Sequence, residues 1–88
     1  MTRLAQLKPP KPLAGPLRLT VRWCFPTSGR RRSGEPMTCA PDLDNMAKVF
    51  ADCLTRTGII EDDRLIVEER LGKAWWDPAG VFFEVEQI

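Results

Sequence analysis

At 88 residues, with 43% hydrophobic and 28% charged residues, the chain has room for one small domain. No apolar run is long enough to span a membrane and no signal-peptide pattern opens the chain. Three cysteines without a single histidine argue against a zinc site and read as reduced cytoplasmic thiols, with Cys53 in the core. The net charge of +1 is unevenly spread. Residues 1–40 hold eight Lys/Arg against one Glu, a net +7, and residues 41–88 hold five against eleven acids, a net −6. A basic half suits phosphate and an acidic half suits metal.

Residues 1–16 contain Pro9, Pro10, Pro12 and Pro16, so they are expected to be extended or disordered and to precede a domain spanning 17–88. Leu17, Leu19, Val21 and Trp23 then alternate with Arg18, Thr20 and Arg22, which predicts a half-buried strand. Residues 26–40, with Gly29, Gly34, Ser28 and Ser33, read as a mobile loop carrying Arg30, Arg31 and Arg32. That cluster is either a solvated loop or a set of phosphate contacts.

The strongest element is a helix. Met46, Val49, Phe50, Cys53 and Leu54 recur at helical spacing, Asp44 is a suitable N-cap and Gly58 stands where a C-terminal cap belongs. Asp44, Lys48, Asp52 and Arg56 fall at i, i+4 on the opposite side. Leu65 to Leu71 reads as a second strand and Val81 to Glu86 as a third. The turn at Asp77-Pro78-Ala79-Gly80 suggests that these two pair as an antiparallel hairpin. Val81, Phe83 and Val85 would face the helix. Trp75 and Trp76 could wedge between bases, but they read first as packing residues.

Chemistry concentrates around the helix. Asp42 and Asp44 stand one residue apart at its start, Lys48 lies one turn further in, and Asp62-Asp63 follow its far end. Carboxylates crowded in this way repel one another, and a divalent cation removes the cost. Hard cations such as Mg2+ take one or two protein carboxylates together with phosphate oxygens and water. Without histidine the usual general base is missing, and metal-bound hydroxide can replace it. These residues alone indicate a metal-dependent nuclease. A capped amphipathic helix with ordinary surface ion pairs accounts for Asp44, Lys48 and Asp52, and explains less well why Asp42 precedes the cap and Glu61-Asp62-Asp63 follows so soon. There is no glycine-rich phosphate loop, and no small-molecule cofactor is implied.

The run Pro41-Asp42-Leu43-Asp44-Asn45-Met46-Ala47-Lys48, then Asp52-Cys53-Leu54-Thr55, then Gly58-Ile59-Ile60 and Asp62-Asp63, resembles the core of the RusA family of Holliday-junction resolvases. The resemblance implies an α+β fold, a small antiparallel or mixed sheet packed on one main helix, and a homodimer. A dimer would also help a chain that buries only roughly 60% of its unfolded surface. It further implies that Asp42, Asp44 and Asp63 bind catalytic Mg2+, that Lys48 is needed for cleavage, and that Asp52 and Asp62 match positions of less certain role. The implied partner is branched DNA, a four-way junction, acted on in recombination and repair. Arg30, Arg31, Arg32, Arg18 and Arg22 are the candidate DNA-binding residues. Family members usually run longer before the strand that starts here near Leu17, so the chain reads as N-terminally shortened. The alternatives are a branched-DNA-binding module without catalysis and a remnant unable to fold alone.

Overall fold

The computed structural model describes residues 9–27, 29 and 31–88. It is an α+β fold of three strands and one main helix: β1 (Leu17–Phe25), α1 (Leu43–Arg56), β2 (Ile66–Trp75) and β3 (Gly80–Gln87). A single 3-10 turn, Asp63–Leu65, leads into β2. The sheet is mixed and ordered β2-β1-β3, with β1 parallel to β2 and antiparallel to β3.

This order corrects the expected hairpin. β2 and β3 do not pair with each other; they flank β1 as a wide hairpin. The connection crosses the end of the central strand, where the Trp76 amide donates to the Phe25 carbonyl at 2.8 Å. The physical reason lies in β1, which buries Leu17, Leu19, Val21 and Trp23 on its helix-facing side. The strand with the most apolar inner face takes the centre, where both edges are covered. Its long connection through α1 permits the parallel pairing with β2.

The helix packs on one face of this sheet. Trp23, Phe50 and Phe83 form a chain of edge-to-face contacts, with ring centroids 6.1 Å and 5.1 Å apart. Leu54, Ile59 and Ile60 close the core beside Leu17 and Leu19. Val81, Phe83 and Val85 pack against it from β3, as their alternation predicts. The buried stripe of α1 is Ala47, Phe50, Ala51 and Leu54. It is rotated from the predicted one: Val49 is 65% exposed and Cys53 only half-buried. Cys24, not Cys53, is the core cysteine, and burial raises its thiol pKa. Two small alanines let the helix approach the sheet closely, which turns the larger Val49 outward.

Both helix ends differ in instructive ways. The N-cap is Asp42, with Asp44 already inside the first turn. At the other end Gly58 has φ +79° and follows Thr57 as the C-cap. Ile59 N–H donates to Leu54 C=O at 3.0 Å and Gly58 N–H to Thr55 C=O at 3.1 Å, the paired bonds of a Schellman motif. The hydrophobic contact of that motif is Leu54 with Ile59, and both are buried.

The flanking segments are tied to this frame. In the Pro-rich stretch, Leu13 exchanges backbone bonds with Ile59 and Glu61 at 3.0 and 2.9 Å. The expected mobile loop docks along the outer edge of β2. Gly34 N–H donates to Trp75 C=O at 2.7 Å, Trp75 N–H donates to Glu35 C=O at 2.9 Å, and Met37 is buried. Covering an otherwise open strand edge satisfies its backbone groups. β2 itself starts one residue later than predicted and runs on to Trp75. Trp75 packs edge-to-face on Phe25, in keeping with a packing role.

Candidate active site

The site is built on the start of α1. Asp42 contributes its carbonyl to the helix, accepting the Met46 amide at 3.2 Å, but its carboxylate makes no cap hydrogen bond. An N-cap aspartate ordinarily spends its side chain on that bond. Here the carboxylate is exposed and has no hydrogen-bond or ion-pair partner among the described residues. Asp44 is exposed in the first turn, where the helix dipole favours negative charge. Lys48 follows one turn on, also exposed. Further along the same row, Asp52 is bound to Arg56 at 2.9 Å, a surface ion pair.

The second acidic pair divides its labour. Asp62 caps the 3-10 turn, accepting the Arg64 amide at 2.9 Å, and pairs with the Arg64 guanidinium at 3.5 Å. Asp63 is exposed and has no such partner among the described residues.

A change of register then delivers another carboxylate. Leu17 pairs with Ile66, but Arg18 pairs with Glu68, so β2 advances two residues for one of β1. This bulge at Val67 switches the face on which the following side chains lie. Beyond it Glu69 sits opposite Leu19 and Leu71 opposite Val21, on the helix side. Glu68 turns to the other face. Asp44, Ala47, Lys48 and Ala51 of α1 therefore meet Asp63, Ile66 and Glu69 around one open cavity of about 410 Å³.

Three of the sequence-derived site residues, Asp44, Lys48 and Asp63, thus share a cavity, while Asp42 lies outside its lining. Glu69 is a lining residue that sequence reasoning does not reach. Its only sequence signal is a charge two residues before Leu71 on what becomes an apolar face, and the bulge that gives it meaning is a tertiary feature.

The basic candidates occupy other places. Arg18 points to the sheet face away from α1. There its guanidinium bridges Glu68 of β2 at 2.9 Å and Glu86 of β3 at 3.5 Å. The hydrogen bond to Glu68 raises the Arg18 pKa, and the same bond holds the Glu68 carboxyl below its ordinary range. Arg22 is exposed two rungs further along that face. Arg31 and Arg32 are exposed on the loop covering β2. Arg31 lies over the Trp75 ring at 5.1 Å and 3.5 Å from Glu35. Arg30 lies outside the described residues.

The cavity's acidic donors are hard oxygens, with neither imidazole nor thiol among the lining residues, which suits a cation of the magnesium type. Among the described residues no three carboxylates stand close enough to enclose a metal ion. Magnesium does not require such a cage, since it usually keeps several waters and takes phosphate oxygens beside one or two carboxylates. The donor set therefore fits an open site.

Comparison with curated proteins finds no match. The family model described as Endodeoxyribonuclease RusA matches residues 1–86, nearly the whole chain and every residue of the cavity. The chain belongs to the RusA endodeoxyribonuclease family.

Proposed function

We propose that this protein is a Mg2+-dependent resolvase that cuts four-way DNA junctions by phosphodiester hydrolysis, serving recombination and repair. The observation that carries the reading is the cavity where Asp44, Asp63 and Lys48 meet. None of these three side chains has a hydrogen-bond or ion-pair partner among the described residues, whereas Asp52 and Asp62 do. Carboxylates that line one open cavity without an ion-pair partner leave their oxygens available to a cation.

Asp44 and Asp63, joined by Asp42 from the helix N-cap, would hold the cation. When bound, the cation supplies an activated water and withdraws charge from the scissile phosphate. Lys48 places an ammonium one helical turn from Asp44, where it offsets charge that builds on the phosphate oxygens. Arg31 and Arg32, with Arg30, grip flanking phosphates, which position a strand without reading its sequence. Arg18 is a weaker candidate for that task because Glu68 and Glu86 already neutralise it; Arg22 would contact DNA only from the face opposite the cavity. Two copies related by a two-fold axis would present two such sites, as symmetric cutting of a junction requires.

The test is incubation with a synthetic four-way junction and magnesium beside a linear duplex of the same sequence. Paired nicks at symmetric positions in the junction alone support the reading. Binding without nicks, with magnesium or manganese, would leave a branched-DNA-binding module in its place.

A further inference from the structure

Lys73 is the one lysine with a defined set of side-chain partners among the described residues, and those partners are not acids. From the far part of β2 its Nζ donates to the carbonyls of Cys39 and Pro41, both at 2.7 Å. These two carbonyls belong to the last residues before Asp42, and the contacts span 34 and 32 positions of sequence. They are the only side-chain bonds among the described residues that join the sheet to this segment. The segment lacks regular structure of its own: residues Thr38 to Pro41 are exposed and belong to no strand or helix. Nor does Asp42 use its carboxylate to lock the helix start. What aims the aspartates is therefore the backbone leading to them, and Lys73 holds that backbone.

We propose that Lys73 is a positioning residue for the active site, clamping the 39–41 backbone so that Asp42 and Asp44 are presented in register with Asp63. The proposal rests on the nuclease reading above. An ammonium suits the task because it has three donors and no acceptor, and can satisfy two converging carbonyls at once. Charged donors also make shorter, stronger bonds than neutral ones. The strand that carries Lys73 is continuous with the turn that carries Asp63. One rigid element thus holds one acidic group directly and steers the other through the clamp. Small misplacements of reacting groups cost large factors in rate, up to roughly a hundredfold per ångström.

The experiment compares wild type, Lys73→Met, Lys73→Arg and, as a control, Asp44→Asn. Two quantities are read: amide hydrogen exchange over residues 38–46, and single-turnover cleavage with junction affinity. In Lys73→Met, exchange across this segment should accelerate while the β1 and β3 amides keep their protection. Its cleavage rate at saturating DNA should fall roughly tenfold or more, with junction affinity unchanged. Lys73→Arg, which keeps charge and donors, should recover part of both. Unchanged exchange in Lys73→Met overturns the clamp whatever the activity. Faster exchange with wild-type cleavage by Lys73→Met overturns the positioning role. Weaker junction binding with an unchanged rate at saturation makes Lys73 a phosphate contact instead and also overturns it. Failure of the nuclease reading itself would show separately, as a wild-type protein that cuts no more than Asp44→Asn. The exchange measurement then still decides whether the clamp exists.

Discussion

The two faces of the sheet handle acidic residues in opposite ways. On the open face, Glu68 and Glu86 stand on either side of Arg18 on one rung of the three strands, and their charges are answered within the fold. On the helix face, Asp44, Asp63 and Glu69 line one cavity with no charge partner in ion-pair contact among the described residues. Strand alternation puts the neighbours Glu68 and Glu69 on different faces, and the bulge before them decides that Glu69 takes the helix side, so one strand supplies both environments. Acids that the fold has already paired support structure. Acids gathered and left unpaired mark a place where something else supplies the positive charge.

The sharpest way to break this comparison is to neutralise the unpaired acids. Asp42→Asn, Asp44→Asn and Asp63→Asn should each reduce junction cleavage to background while leaving binding intact, since each loses a ligand's charge and keeps its size. Gel-shift and cleavage assays on the same preparations check this. Wild-type cutting by all three variants would make the cavity an ordinary surface.

The next effect concerns the cationic side chain in the cavity. As a surface ion-pair partner, Lys48 would contribute only about 0.3–0.5 kcal/mol. As a charge on the transition state its loss costs roughly 2.7–4 kcal/mol of barrier. Lys48→Ala should therefore melt near the wild-type temperature, bind the junction normally, and cut about a hundredfold slower or worse. Lys48→Arg should also be impaired, because a planar guanidinium cannot place a point charge at the same spot. Melting curves beside single-turnover rates separate the two roles.

A smaller, graded effect is expected from the basic loop. Replacing Arg30, Arg31 and Arg32 by alanine should flatten the salt dependence of binding by about 0.9 in log–log slope for each phosphate that is no longer neutralised. Arg18→Ala should leave that slope nearly unchanged, because its charge is already engaged by Glu68 and Glu86. Affinities measured across a salt series check both.

The smallest effect belongs to the paired face. Glu68 binds its proton less tightly when folded, because of the Arg18 hydrogen bond. Its contribution is therefore complete above the unfolded carboxyl pKa, about 4.3, and is lost as pH falls through the lower folded value. Glu68→Gln should destabilise slightly and equally between neutral pH and about pH 5, and the difference from wild type should vanish in stronger acid. Denaturant melts at several pH values would show it.

Local patterns determined much of this protein from the sequence alone. Alternation from Leu17 to Trp23 and from Val81 to Val85 defined two strands and their inner faces. Helical spacing and Gly58 defined α1 and its end, and the Asp42 to Lys48 motif pointed to the site and the family. These features depend on neighbours within one or two turns or a few strand residues, so they are legible without a fold. Strand order, the bulge at Val67, the arrival of Glu69 and the clamp from Lys73 are different. Each depends on which segment lies beside which across thirty or more positions. A shift of one residue in a strand exchanges its faces, and neither alternation nor composition reports such a shift. The same holds for Arg18 and Arg31, alike in sequence as basic residues of one charged half. Only packing decided that one is held between two glutamates of neighbouring strands while the other lies exposed over Trp75 with a single glutamate, Glu35, at 3.5 Å.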